Sequence, residues 1–189
     1  LRCELPHHTT LPLFEQLLDT DVLRLVSLMD HSPGQRQYAS LEKFRQYYQG
    51  KYQLSDAEMA QYEEEQTALA ARWSHPNRQA ISALCRERGI ALASHDDATT
   101  AHVDESHAIG SVIAEFPTTE EAARRSRQCG LHILMGAPNI VRGGSHSGNV
   151  AAHALASAGL LDILSSDYYP ASLLDAAFRI AEDEHNNVT

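Results

Sequence analysis

GIALASHDD, residues 89–97, decides the fold. A glycine suited to stopping a helix precedes five apolar or small residues, and three polar, ionisable residues follow at once. A short apolar run with no polar alternation fits a strand buried on both faces, as in a parallel sheet. The same order recurs in GSVIAEFPTT (110–119), GLHILMGAPN (130–139) and GLLDILSSDYYP (159–170). An earlier copy is VLRLVSLMDHSPG (22–34), and LRCE (1–4) reads as the end of another strand.

Helical stretches separate these runs. LPLFEQLLD (11–19) has apolar residues at helical spacing, and SDAEMAQYEEEQTALAARW (55–73) combines strong helix formers with Ser55 as an N-cap. HPNRQAISALCRERG (75–89) places Pro76 near a helix start and Gly89 at its stop. Thr118 with Glu121 forms the pattern of a capping box for the helix ending at Gly130. Strand and helix alternating with short connections predict an α/β fold with parallel strands. The stretch from about 35 to 75 is Tyr-, Gln- and Glu-rich. It reads as a helical insertion, either a solvated hairpin or a lid over one face of the sheet.

A chain of 189 residues, 43% hydrophobic, is long enough to bury a core. No apolar run approaches the ~20 residues of a membrane span. The opening LRCELPHH has neither an initiator Met nor a basic-then-apolar leader, and Cys3, Cys85 and Cys129 form no C-x-x-C pair. A cytoplasmic protein with reduced thiols is expected, with no membrane partner. The net charge of −10 argues against broad nucleic-acid binding. It also requires local positive charge, from arginine or metal ions, wherever an anionic substrate binds.

In parallel α/β folds, ligands bind at the carboxyl ends of strands. Those ends carry Glu4, Asp30-His31, His95-Asp96-Asp97, Glu115, Asn139 and Ser165-Ser166-Asp167. A carboxylate, two histidines and a last Asp form a set able to hold one or two divalent metals, with another carboxylate left to orient or deprotonate water. Each residue also has an ordinary structural role open to it. A strand-end His is often a hydrogen-bonded structural residue, Asp167 could cap a helix beginning near Ser172, and Asp96 or Asp97 could cap the next helix. His7, His8, His102 and His107 lie in polar stretches and read as surface residues, whereas His146 sits in a glycine-rich loop.

LRCELPHHTTLPLFEQL (1–17), SLMDHSPGQRQYA (27–39), ALASHDDATTAHV (91–103), EFPTTEEAA (115–123), MGAPNIVRGGSHSGNVAA (135–152) and LDILSSDYYPASLLDAAF (161–178) together resemble the PhnM family. These are amidohydrolase-superfamily diphosphatases of the carbon–phosphorus lyase pathway for phosphonate use. The resemblance covers essentially the whole chain. It implies a metal-dependent phosphoanhydride hydrolase that releases diphosphate from a ribose methylphosphonate triphosphate.

The fold so implied is a metal-dependent (β/α)8 TIM barrel, usually with a small β-sandwich. Such a barrel needs ~250 residues, so residues 1–189 are expected to be its central to C-terminal part, without the first strands and the sandwich. Sheet edges exposed in such a piece would favour pairing with another chain, and a homo-oligomer is expected. By the resemblance Glu4 matches the strand-four carboxylate, His31 the strand-five His and His95 the strand-six His. Asp167 matches the strand-eight Asp, which binds metal, handles the proton of the attacking water, or both. The cofactor implied is one or two divalent ions, with zinc expected. Two strand-like runs stand between His95 and Asp167, where a plain barrel has one.

GAPNIVRGGSHSGN (136–149) then reads as a substrate loop. Backbone N–H groups, Arg142, Ser145, His146, Ser147 and Asn139 would meet phosphate oxygens, helped by a helix starting near Asn149. Arg36, beside His31, is a second candidate. Two other readings stay open: hydrolysis of a C–N bond, and a non-catalytic scaffold subunit of a phosphonate-degrading assembly.

Overall fold

The computed structural model describes residues 1–38, 40–144 and 148–183. The chain divides into two compact units, Leu1–Ala93 and Ser94–Thr189. The strands follow one another across a six-stranded sheet in chain order.

The first unit holds β1 (Arg2–Glu4), α1 (Thr10–Leu17), β2 (Leu25–Met29), α2 (Leu41–Tyr52), α3 (Asp56–Arg88) and the start of β3 (Ala91–His95). β1 pairs in parallel with β2, and β2 with β3, in the register Arg2↔Ser27 and Leu25↔Ala91. Leu5, Val26, Leu28, Phe14 and Ile81 are fully buried, as continuous apolar runs in a covered parallel sheet should be.

The region from 55 to 89 departs from the two helices expected there. α3 is one helix of 33 residues that runs through Pro76. Proline gives up one hydrogen bond to the preceding turn, yet strong helix formers on both sides keep the helix intact. Its buried residues explain its length. Asn77, Arg78, Ile81, Ser82 and Cys85 form a stripe at helical spacing, so this part is the crossover helix between β2 and β3. The earlier turns bury only Met59 and form a hairpin with α2. Ser55 and Glu58 make a full capping box at the start of α3, and Gly89 ends it with φ of 64°. Asn77 Nδ2 donates to the carbonyls of Leu5 (2.7 Å) and His7 (2.9 Å), tying α3 to the loop that follows β1.

The second unit holds the end of β3, then α4 (Thr100–Ala108), β4 (Ser111–Glu115), α5 (Glu120–Gln128), β5 (His132–Gly136), α6 (Ala137–Arg142), α7 (Ala152–Ser157), β6 (Ile163–Ser165) and α8 (Ser172–Ala181). β4 pairs in parallel with β5 and β5 with β6. Its core comprises Ala114, Ile133, Met135, Ile140, Leu155 and Ile180 with their neighbours.

Two local expectations shift here. The N-cap of α5 is Thr119, whose hydroxyl accepts from Ala122 N at 3.0 Å; Glu121 instead accepts from the backbone and hydroxyl of Thr100. The stretch after β5 is not a loop throughout. Residues 137–142 form α6, started by Pro138 and closed by Gly143 at φ 80°. The next helix begins at Ala152 rather than near Asn149. No helix among the described residues is long and apolar enough to cross a membrane.

Candidate metal centre

The carboxyl ends of all the strands except β5 carry the ionisable residues expected from the sequence; β5 ends at Gly136 and runs into α6. In the first unit Glu4 closes β1 and His31 lies just past β2. Glu4 Oε1 accepts from the backbone N–H of His31 at 2.9 Å, and Glu4 Oε2 lies 2.7 Å from His31 Nδ1. These residues therefore meet, through two hydrogen bonds that fix both the loop and the imidazole. Asp30 is used locally, accepting from the backbone N–H (3.1 Å) and hydroxyl of Ser32. Arg36 is buried at the end of the same turn. His7 and His8 are exposed and stack on each other.

The second unit has a more enclosed arrangement. His95 ends β3, Glu115 ends β4, and their side chains are 6% and 10% exposed. Glu115 Oε2 lies 2.7 Å from His95 Nδ1. The other ring nitrogen, Nε2, is 3.6 Å from Asp96 Oδ2. A carboxylate at Nδ1 selects the tautomer that keeps a lone pair on Nε2, the arrangement common in metal-binding histidines. The Phe116 ring stands edge-on to His95, its centroid 5.4 Å away.

Three residues that follow strands in this unit adopt positive φ without being glycine: Asp96 (55°), Phe116 (58°) and Asp167 (47°). For a bulky residue such as Phe this is a strained conformation, costing about 1–3 kcal/mol and found most often at functional sites. It turns the chain sharply at the strand end and re-aims the side chain. Asp167 is half-buried, with its N–H donated to Ser165 Oγ at 3.1 Å. It is not the cap of α8, whose N-cap is Ala171. Its Cβ and Oδ2, together with Phe116 Cε1, lie 3.7 Å from where a Cβ on Gly136 would stand. The Asp167 carboxylate thus lies over the end of β5.

Asp96 and Asp97 do not cap α4 either, because Thr99 does so through His102 N. Asp97 is fully buried and receives Ser106 Oγ at 3.3 Å. His102 accepts from Ala98 N at 3.2 Å, a structural use.

The residues proposed for phosphate fare differently. Arg142 is exposed at the end of α6, donates to the Tyr168 hydroxyl, and stands 5.7 Å from the Tyr168 ring centroid. Asn139 Oδ1 accepts from Ala152 N at 2.9 Å and so anchors the start of α7. Ser145, His146 and Ser147 lie outside the described residues.

Glu115 is the functional candidate that the ligand set from sequence left out. Its signal was present, since it ends an apolar run as His95 does. What the sequence could not show is that neighbouring strand ends bring a residue 20 positions away onto the imidazole. β4 and β5 are both true strands, so six strands separate the Glu4 position from the Asp167 position inclusively, one more than the barrel alignment implies.

Comparison with known proteins follows the same line. The chain is 76% identical over all 189 of its residues to the alpha-D-ribose 1-methylphosphonate 5-triphosphate diphosphatase of Escherichia coli (strain K12). It spans 50% of that relative's length. The resemblance read from the motifs holds along the whole chain. No family model and no solved structure matches it.

Proposed function

We propose that this chain carries part of the active site of a metal-dependent diphosphatase. Its substrate would be a ribose 1-methylphosphonate 5-triphosphate, cleaved to the monophosphate with release of diphosphate. The observation that carries the reading is the buried His95–Glu115 pair beside Asp96, in a chain that matches a diphosphatase of this type over its full length. In this reading the parallel strands are part of a (β/α)8 barrel whose carboxyl ends form the catalytic face.

The donor set fits a divalent ion, with zinc the expected one. His95 offers Nε2 with Nδ1 already engaged, Asp96 offers an oxygen 3.6 Å away, and the Glu4–His31 pair repeats the same chemistry. An ion bound there would supply Lewis-acid polarisation of a phosphoryl oxygen and a water that is nucleophilic near neutral pH. Asp167, whose positive φ re-aims its side chain after β6, would accept the proton of the attacking water in this reading. Glu115 keeps His95 in one orientation and one tautomer. Arg142 provides a planar pair of donors for the phosphate oxygens, and Tyr168 holds the guanidinium in place. In an acidic protein this local charge is what lets a triphosphate approach, and it stabilises the charge that grows on the departing diphosphate.

The deciding experiment follows hydrolysis of the ribose triphosphate by phosphorus NMR, with divalent metal per chain measured on the same sample. Diphosphate appearing as one unit, in proportion to bound metal, is the expected result. Stepwise release of single phosphates, or no metal retained, would sink the reading. Cleavage of a cyclic amide in place of the triphosphate would assign the centre to C–N hydrolysis.

A further inference from the structure

Asn77 stands in the buried stripe of α3 and is only 3% exposed. Asparagine is a weak helix former, and a buried amide is costly unless its polar atoms are bonded. Ser82, in the same stripe, bonds back to its own helix at the carbonyl of Gln79. Asn77 bonds outward instead. Its Nδ2 donates to the carbonyl of Leu5 at 2.7 Å and to that of His7 at 2.9 Å, 72 and 70 residues earlier in the chain. Leu5 is fully buried, so its carbonyl has no recourse to water.

These bonds bear on the residue that precedes them. The peptide between Glu4 and Leu5 is held at both ends, since the Glu4 carbonyl accepts from the Thr10 hydroxyl and Leu5 N donates to Met29 O at 2.8 Å. The next peptide has a single polar handle. Pro6 offers no N–H, which leaves the Leu5 carbonyl, and Asn77 takes it. Back across the same gap, the His31 N–H donates to Glu4 Oε1 at 2.9 Å, and His31 Nδ1 lies 2.7 Å from Glu4 Oε2. The ends of β1 and β2 are thus joined in both directions, and Asn77 braces the β1 side against a third element.

We propose that Asn77 is a positioning residue of the candidate metal centre. By fixing the carbonyls of Leu5 and His7 it sets the backbone from which Glu4 holds His31, and so prepares this pair for a divalent ion. The inference rests on the metal-dependent reading above and adds to it a residue of α3 that acts through Glu4. Groups that orient a ligating side chain typically change metal affinity by about 10- to 100-fold.

The test applies amide hydrogen exchange and titration with zinc alone to the full chain, as wild type, Asn77→Ala and Asn77→Ser. In wild type the Nδ2 hydrogens of Asn77 should exchange slowly; rapid exchange of both would overturn the proposal without recourse to any variant. In Asn77→Ala the amides of Leu5 and His31 should exchange up to about tenfold faster. The amide of Ile90, bonded to Cys85 O at 2.8 Å beyond the other end of α3, should keep its rate. Zinc should bind about tenfold more weakly to Asn77→Ala. Asn77→Ser should fall between, because one hydroxyl can serve one carbonyl. Equal acceleration at Leu5, His31 and Ile90 would show that Asn77 serves only the fold. Zinc bound by wild type and held as tightly by both variants would overturn the positioning role alone. If wild type takes up no zinc, the metal-dependent reading fails and the proposal with it.

Discussion

Glu115 Oε2 lies 2.7 Å from His95 Nδ1, and both side chains are about nine-tenths buried. In such surroundings a carboxylate does more than accept one hydrogen bond. It keeps the imidazole from rotating and holds the proton on Nδ1, leaving the lone pair on Nε2, which faces Asp96. Glu115→Gln is nearly isosteric but removes the charge. We expect about 10- to 100-fold weaker metal retention and a matching loss of hydrolysis, with a far smaller change in melting temperature. Titration with a chelator while metal per chain is followed checks this. Unaltered retention would make the pair a structural contact only.

That pair also shows where sequence reading stops. The strands were legible because most of the runs are short, mainly apolar and followed by ionisable residues, so the positions of Glu4, His31, His95 and Glu115 could be placed from the sequence. Their pairing could not, since it depends on which strand lies beside which. Pro76 misled for a different reason: it suits a helix start, but the stripe from Asn77 to Cys85 and the helix formers before it outweigh one lost hydrogen bond. At residues 136–149 the abundance of glycine hid a short helix, because Pro138 and Gly143 are also ordinary start and stop signals. The barrel assignment and the substrate came from motif resemblance, which no periodicity could have supplied.

If Arg142 binds phosphate as proposed, its replacement should separate turnover from folding. Arg142 is exposed, and its contacts include the Tyr168 hydroxyl and ring. An exposed contact of this kind contributes little to stability, so Arg142→Ala should shift it by roughly 0.5 kcal/mol or less. Loss of a donor pair to the leaving group should cost about 100-fold in turnover. Tyr168→Phe keeps the ring and removes the hydroxyl, and should fall between that variant and wild type. Parallel denaturation and initial-rate measurements decide the matter; equal losses in stability and rate would show that Arg142 serves the fold.

The α2–α3 hairpin contains a removable strain. Gln53 caps α2 with φ of 55°, a conformation that suits glycine. Gln53→Gly should stabilise the chain by about 1 kcal/mol, partly offset by the greater freedom of glycine in the unfolded state. Gly89, at φ 64°, caps the far end of α3, and Gly89→Ala should destabilise by a similar amount, although nothing lies near the added methyl. Thermal melts of the two variants should move in opposite directions. A shift of the same sign in both would mean that the caps are not set by backbone conformation.

Cys3 and Cys85 give the protein an alkaline limit. Both are buried, and burial pushes each thiol from an ordinary 9.0 up to about 11. Below pH 9 the thiols are protonated whether the chain is folded or not, so they add no pH dependence. Between pH 9 and 11 the unfolded chain releases those protons while the folded one keeps them. The unfolded state then binds fewer protons, and stability must fall as pH rises through this window. Denaturant titrations from pH 8 to 11 should show that decline, and Cys85→Ala should reduce its slope. At pH 8 an aromatic disulfide reagent should modify Cys129, which is only partly buried, far faster than the other two. Rapid reaction of two or three thiols in the native protein would contradict the burial on which the alkaline limit depends.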